Sequence, residues 1–210
     1  EVSLAHNGVL FLDEMLEFPR GVLDGLRQPL EDATVVIARA AMSVTFPARF
    51  TLVGATNPCP CGRAGEPGRK CSCGPAEVAK YAARMSGPLT DRIDMHVPVG
   101  AVALRDLSAE GATGEGSSQM RERVGQARCL QRQRYRVLRG VTCNAHVPGR
   151  WLDRHTPIEN DARTLLHSAA SALELSARAD HRVLKVARTI ADLGADERIE
   201  ARHVAEALRY

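Results

Sequence analysis

The chain has 210 residues, of which 44% are hydrophobic and 25% are charged, and its 28 basic and 25 acidic residues give a net charge of +3. This composition is typical of a globular protein with one or two cores, and so small a net charge does not by itself indicate nucleic-acid binding. There is no signal peptide and no apolar run long enough to span a bilayer, so we expect a cytoplasmic protein without membrane association.

Residues 9–14 join four large apolar side chains to two adjacent carboxylates, Asp13 and Glu14. An uninterrupted apolar run predicts a strand that is buried on both faces at the centre of a parallel sheet. Ligands bind at the carboxyl ends of such strands. Asp13 is therefore suited to hold the water shell of Mg²⁺, and Glu14 to orient or deprotonate the water that attacks a nucleoside triphosphate. The alternative is a core strand followed by a solvated acidic turn.

The Gly-rich phosphate loop that ends in Gly-Lys-Ser/Thr has no counterpart, because no Gly-Lys pair occurs in the chain. The chain also begins at Glu1, without an initiator Met. We therefore expect a fragment whose phosphate loop, with its strand and helix, lies upstream of residue 1. We expect this fragment alone to be inactive as an ATPase.

A helix, a hairpin and a second strand follow. Apolar residues at helical spacing predict a helix from Pro19 to Asp32, which Pro29 ends or kinks. β-branched residues on both sides of a small-residue centre predict a β-hairpin over 34–46, with Arg39 at its tip. The apolar run 50–55 predicts a second buried strand, which again ends at polar residues where a catalytic edge is expected.

A Cys/Gly/Pro-rich loop over 58–75 holds four of the six cysteines. They are Cys59, Cys61, Cys71 and Cys73. Four thiolates suit a closed, tetrahedral, structural Zn²⁺ site, and a loop with so few apolar residues has little else to fold around. A reduced metal-free loop and pairwise disulfides are the alternatives. Cys129 and Cys143 are predicted to be ordinary buried or half-buried residues.

The rest of the chain is predicted to be mainly helical. A helix to about Met85 precedes a short strand over 95–99, and the glycine and hydroxyl residues of 105–118 are typical of a flexible linker. Ser117 or Ser118 is suited to cap a helix to about Val137.

Two helices with apolar stripes and a last helix ending near Leu208 follow. The stripes are Ala162, Leu165, Leu166 and Ala169 in one helix, and Val183, Val186, Ala187 and Ile190 in the other. The seven arginines between Arg121 and Arg139 indicate mainly a solvated helix face. Alternatively, they form part of a phosphate-binding track, as does Arg39.

Several segments match one family in combination. They are Ala5–Glu14, Leu26–Asp32, Gly54–Gly62, Gly87–Asp94 and Ser176–Arg182. Together they resemble the Mg-chelatase-related AAA+ ATPases of the YifB/ComM type. The resemblance implies an α/β fold, in which a partial AAA+ parallel-sheet core (1–100, with the Cys-rich loop 58–75) is followed by a linker (101–118). An all-helical lid bundle with the Mg-chelatase-type C-terminal domain (119–210) completes the chain.

The resemblance also implies roles for individual residues. Asn57 is similar to sensor 1, whose amide hydrogen-bonds the γ-phosphate and the attacking water. The alternative is an Asn that caps a turn. Arg92 resembles the arginine finger, which reaches the γ-phosphate of a neighbouring subunit. Its alternative is an ion pair with Asp91 or Asp94.

Arg178 resembles sensor 2 in the lid, with Arg182 one turn further along as the reserve candidate. The resemblance implies ATP and Mg²⁺ as cofactors and a homo-oligomeric ring, a hexamer, as the working form. It implies a motor that remodels DNA by branch migration in competence-linked recombination. One alternative is a magnesium-chelatase-like motor acting on a protein or chelation complex, and another is a non-enzymatic, zinc-containing interaction module.

Overall fold

The computed structural model describes residues 1–39, 42–65, 70–100, 102 and 114–210. The chain divides into two compact units, here called unit 1 (Glu1–Ile93 with Pro98–Ala101) and unit 2 (Asp94–Val97 with Val102–Tyr210). Unit 1 contains a small parallel sheet, a hairpin and short helices, whereas the elements of unit 2 are helical. This confirms the predicted α/β class with a helical C-terminal part. The division at 1–100, 101–118 and 119–210 stays a prediction, because most of that linker lies outside the described ranges.

The sheet of unit 1 pairs β1 (Val9–Leu12) in parallel with β4 (Thr51–Gly54). Both strands were predicted. Leu10 and Leu12 pack on one side against a core whose buried members are Met15, Leu23, Leu26 and Leu89. On the other side, the side chains of Val9 and Phe11 are 62% and 59% exposed. The prediction that β1 is buried on both faces is therefore wrong, because strand side chains alternate and, among the described residues, packing covers only one face.

The predicted hairpin is formed by β2 (Thr34–Arg39) and β3 (Met42–Pro47). The two strands are antiparallel, with Thr34 opposite Pro47 and Arg39 opposite Met42. Residues 40–41 and the side chain of Arg39 lie outside the described part of the chain. The suggestion that Arg39 contributes to a phosphate-binding track therefore stays a prediction.

The predicted helix from Pro19 to Asp32 is divided into α1 (Arg20–Gly25) and α2 (Arg27–Asp32). The break falls at Leu26, three residues before the proline that was expected to cause it. Pro29 lies in the first turn of α2, where its missing N–H costs little, and its ring excludes the carbonyl of the residue four positions earlier. Pro29, although it lies in α2, therefore prevents α1 from continuing past Gly25.

Unit 1 continues with α3 (Pro75–Ala82) and α4 (Gly87–Thr90). The predicted strand over 95–99 is wrong, because residues 94–100 have no ladder partner among the described strands. Within unit 2, the backbone N–H of His96 donates to the carbonyl of Tyr210 at 2.8 Å. An alternating apolar segment forms a strand only where another strand presents a free edge.

The described helices of unit 2 build a second core. They are α5 (Ser117–Arg134), α6 (Gly149–His155), α7 (Asn160–Ala172), α8 (Ala177–Leu193) and α9 (Ala201–Ala207). The apolar stripes predicted for α7 and α8 face this core, whose members include Ala162, Leu166 and Ala187. The residue that caps α5 is Gly116, not Ser117 or Ser118, and its N–H donates to Gln119 Oε1 at 3.1 Å. Among the described residues, no helix is both long and apolar enough to cross a membrane.

A buried ionic network, which was not predicted, lies within unit 2. Asp192, 2% exposed, accepts hydrogen bonds from Arg134 (2.9 and 2.5 Å), Arg188 Nε (3.1 Å) and Asn144 Nδ2 (2.8 Å). Arg188 is fully buried and donates further to the carbonyls of Glu197 and Asp196. Burial raises the pKa of Asp192, but the bonds from Arg134 and Asn144 and the charge of Arg188 outweigh it, so the pKa lies below its ordinary value.

Candidate functional site

The two adjacent carboxylates lie directly after β1, at its carboxyl end. Asp13 and Glu14 are both exposed, and Asp13 Oδ1 accepts the Glu14 N–H at 3.0 Å. Glu14 has φ 48° and ψ 44°, a left-handed conformation that non-glycine residues rarely adopt. This conformation turns the chain out of the strand into a 3₁₀ helix (Met15–Glu17), and the side chain of Met15 enters the core. Glu14 is thereby held at the strand edge by a buried neighbour.

Backbone hydrogen bonds join the ends of β1 and β4 next to these carboxylates. Ala55 N donates to the Leu12 carbonyl at 2.9 Å, and Met15 N donates to the Ala55 carbonyl at 2.8 Å. A Cβ added to Gly54 would lie 2.5 Å from Met15 Sδ, so a larger residue here would require the side chain of Met15 to move. Asn57 follows three residues after Gly54 and is exposed. Asp13, Glu14 and Asn57 thus all come after the carboxyl ends of the two paired strands, here called the carboxyl edge.

Arg92 lies just after α4 and is anchored within unit 1. Its guanidinium forms an ion pair with Glu31 of α2 and donates to the Pro88 carbonyl at 2.6 Å. The side chain of Arg92 is only 16% exposed. The carboxylate that it contacts was not foreseen, since Asp91 and Asp94 were the expected alternatives. Glu31 and Arg92 lie 61 residues apart, and only a folded structure reveals such a contact.

Arg178 and Arg182 lie in the first two turns of α8, in unit 2. Ser176 caps this helix by accepting the Ala179 N–H on its Oγ at 3.2 Å. Arg178 is exposed, whereas Arg182 is half-buried. Burial raises the pKa of Asp94, and the charges of Arg182 and Lys185 oppose that rise. Arg182 interacts electrostatically with Asp94 within unit 2, and Arg178 is the more exposed of the two arginines.

The four clustered cysteines converge on one point. Their sulfurs lie within 4.8 Å of one another, with Cys59 Sγ 3.4 Å from Cys61 Sγ and 3.7 Å from Cys71 Sγ, and with Cys61 and Cys71 sulfurs 3.5 Å apart. A tetrahedral Zn²⁺ with Zn–S bonds of about 2.3 Å needs sulfur separations of about 3.8 Å. The residues present therefore fit a tetrahedral metal ion of this kind. In the disulfide alternative the sulfurs would be about 2.05 Å apart, and all four are free thiols here.

Backbone hydrogen bonds and burial change the pKa values of the clustered thiols. Backbone N–H groups of Arg63 and Ser72 lower the pKa of Cys61 to about 5. At Cys73 a backbone hydrogen bond from Cys61 lowers the pKa, but burial and the neighbouring sulfurs outweigh it and raise the pKa to about 12. Burial raises the pKa of Cys59, but hydrogen bonds that include the Ala64 N–H outweigh it and lower the pKa. A cation is what would allow the remaining thiols to ionise as well.

The loop that carries the first two cysteines depends on glycine. The Gly62 N–H donates to the Cys59 carbonyl at 2.9 Å, and Gly62 has φ 76°. Ala64 N donates to Cys59 Sγ at 3.3 Å.

Outside the cluster, Cys143 is buried as predicted, whereas Cys129 is exposed on α5 and that prediction is wrong.

Comparisons with known proteins agree with these motifs along the whole chain. Residues 1–107 match the family model for magnesium chelatase, subunit ChlI, and residues 114–210 match the model for its C-terminal part. Similar relatives are the competence protein ComM of Haemophilus influenzae, 43% identical over 210 residues, and the protein YifB of Escherichia coli, 39% identical over 210 residues. The whole chain is covered in each, and it spans 40% of the length of either relative. The chain therefore belongs to the Mg-chelatase-related family of the YifB/ComM type.

Proposed function

We propose that this chain supplies the hydrolytic residues of an ATP-driven AAA+ motor. The observation that carries the proposal is the position of Asp13, Glu14 and Asn57 after the carboxyl ends of two paired parallel strands. Two carboxylates and an amide at such an edge are what triphosphate hydrolysis requires from a protein. Family membership supports nucleotide and Mg²⁺ as the cofactors.

Each residue at the edge has a distinct role in this proposal. Asp13 is exposed at the end of β1 and offers hard carboxylate oxygen to the water shell of Mg²⁺. When bound, Mg²⁺ would neutralise part of the negative charge of the phosphates. Glu14, fixed by its left-handed backbone, orients the attacking water and accepts its proton. Asn57 donates and accepts hydrogen bonds where the γ-phosphate and that water meet.

The two arginines complete the proposed site from other parts of the assembly. Arg92 presents a guanidinium whose position is set by Glu31 and Pro88, which suits a finger directed at the nucleotide of an adjacent copy. Arg178, exposed at the start of α8, is suited to act as sensor 2. The finger role of Arg92 presupposes a homo-oligomeric ring, for which a hexamer is the proposed size.

DNA is the client that we favour. The relative named as a competence protein is 43% identical over the whole chain, which supports a competence-linked role. The activity that we propose for that role is branch migration during recombination. Arg121 and Arg132 are exposed on α5 and are available to phosphates, although a solvated helix face has the same appearance. The family description favours the second candidate, a magnesium-chelatase-like motor that acts on a protein or chelation complex. The four-cysteine cluster supports a third, a zinc-containing interaction module without enzymatic activity.

ATP turnover of the full-length protein tests the proposal. Glu14→Gln keeps the shape of the side chain and removes the base, so hydrolysis should fall by about 10²-fold or more while ATP binding persists. Glu122→Gln, an exposed glutamate on α5, is the matched control and should leave turnover unchanged. Equal turnover of Glu14→Gln and wild type would contradict the proposal that Glu14 supplies the hydrolytic base.

Binding to branched DNA then separates the clients. Affinity for a four-way junction that falls steeply with salt supports a phosphate-contacting DNA motor. ATP turnover without salt-dependent DNA binding would favour the chelatase-like candidate. If a folded, metal-loaded protein shows neither ATP turnover nor salt-dependent DNA binding, the interaction module is favoured.

A further inference from the structure

The proposed sensor, Asn57, and the cysteine cluster are joined by a very short connection. Pro58 alone separates Asn57 from Cys59, which is fully buried. Proline fixes its own φ, so the backbone between the amide and the sulfur has little freedom. A movement of Cys59 is therefore transmitted to Asn57.

The amide of Asn57 also lies against the cysteine loop in space. A Cβ built on Gly62 would lie 3.7 Å from Asn57 Oδ1 and 3.9 Å from its Cγ. Gly62 closes the turn over Cys59 through its N–H, at 2.9 Å from the Cys59 carbonyl. The side chain of Asn57 thus rests on the turn that holds the first two sulfurs.

Burial in this turn is concentrated at one of its described residues. Within residues 55–65, Cys59 is the only residue that is fully buried. Its sulfur accepts the Ala64 N–H at 3.3 Å, receives a backbone hydrogen bond from Arg63 and faces the sulfurs of Cys61 and Cys71. The sulfur of Cys59 is therefore a point where the segment after Asn57 is restrained, and a metal ion that joined the sulfurs would strengthen that restraint.

We infer that a thiolate-bound metal ion, of the Zn²⁺ type, positions the amide of Asn57. Cys59 and Gly62 are positioning residues in this arrangement, because they act through Asn57 and do not touch substrate. The inference rests on the proposed function, which assigns Asn57 to the hydrolytic site. Loss of the metal should lower the hydrolysis rate without weakening nucleotide binding, since the amide acts at the reacting water.

The side-chain amide of Asn57 provides a direct readout in the 210-residue chain. The chain has four asparagines, and Asn144, held in the buried network of unit 2, is the internal reference. In nitrogen-15-labelled chain that is reduced and metal-free, addition of Zn²⁺ should shift and sharpen the Asn57 amide signals and leave those of Asn144 unchanged. Asn57→Asp identifies the signals by removing them. Asn57 signals that are identical with and without Zn²⁺, or a failure of Zn²⁺ to bind, would overturn the inference.

Cysteine and glycine variants provide matched comparisons. Cys59→Ser should keep the metal-free Asn57 signals when Zn²⁺ is added, whereas Cys129→Ser, outside the cluster, should behave as wild type. If Cys59→Ser does not fold, the wild-type Zn²⁺ titration decides alone. Gly62→Ala should shift the Asn57 signals, and Gly65→Ala should not, because both have φ +76° but only the first methyl group would contact Asn57.

Kinetics of the full-length protein separate this inference from the proposed function. Cys59→Ser should lower kcat by about 10²-fold, the scale expected for a misplaced group, with nucleotide affinity unchanged. An unchanged kcat in a protein that hydrolyses ATP would overturn the inference and leave the ATPase assignment standing. Absence of turnover with the cluster intact would overturn the ATPase assignment, and the amide signals would still decide whether metal positions Asn57.

Discussion

Replacement of Asp192 by asparagine should strongly destabilise unit 2. Asp192 is the anionic partner of two arginines, and one of them, Arg188, is 0% exposed. Asparagine keeps the shape but removes the charge, which leaves the guanidinium of Arg188 buried without a counter-ion. Breaking a buried ion pair from one side costs about 3–5 kcal/mol. That is a large fraction of the roughly 5–15 kcal/mol by which domains are stable.

Urea unfolding of the chain, followed by far-ultraviolet circular dichroism at neutral pH, measures this cost. The matched control is Asp161→Asn, an exposed aspartate in the first turn of α7 that should cost less than about 1 kcal/mol. Combining Asp192→Asn with Arg188→Met should return part of the lost stability, because the buried charge is then gone. Equal midpoints for Asp192→Asn and the control would refute the reasoning.

The same network predicts a pH dependence. The folded-state pKa of Asp192 lies below its ordinary value of about 3.9. The stabilisation is therefore fully present above that ordinary value and is lost as pH falls through the folded-state pKa. Wild type should lose stability on acidification more steeply than Asp192→Asn, in the range below about pH 4. Parallel curves for the two proteins would contradict the assignment of Asp192 as an ionised, buried partner.

Three further predictions concern the nucleotide and metal sites. The 210-residue chain alone should hydrolyse ATP negligibly and bind it weakly, because it contains no Gly-Lys-Ser/Thr loop; tight binding in calorimetry would contradict this. Elemental analysis of chain purified without chelator should find one Zn²⁺ per chain, retained by Cys129→Ser and lost by Cys61→Ser; an absence of zinc in the wild type would contradict the metal site. In the full-length protein, Glu31→Gln should lower turnover by loosening Arg92, while the exposed neighbour Asp32→Asn should not; equal rates would exclude a positioning role for Glu31.

Local patterns in the sequence were sufficient for several elements. The apolar run before Asp13 predicted β1, and the β-branched ends of 34–46 predicted the hairpin. The spacing of the four cysteines predicted their convergence, because ligands for one metal must meet. In each case the determining residues are close together in the chain.

Features that depend on distant partners were missed. The segment 95–99 has a strand-like sequence but no described strand beside it, and the exposure of Phe11 depends on what covers the sheet. The ion pair of Arg92 with Glu31 joins residues far apart in the chain. A charged pair four residues apart on the apolar side of α8, Arg188 and Asp192, was the available signal for the buried network.

Mixing two inactive variants of the full-length protein tests the ATPase assignment most directly. Glu14→Gln removes the proposed base and Arg92→Ala the proposed finger, so each alone should be inactive. A mixed ring contains interfaces where an intact Glu14 of one copy meets an intact Arg92 of its neighbour, and part of the ATP turnover should return. No recovery, although the subunits demonstrably exchange, would contradict a composite site in which Arg92 acts across the subunit boundary.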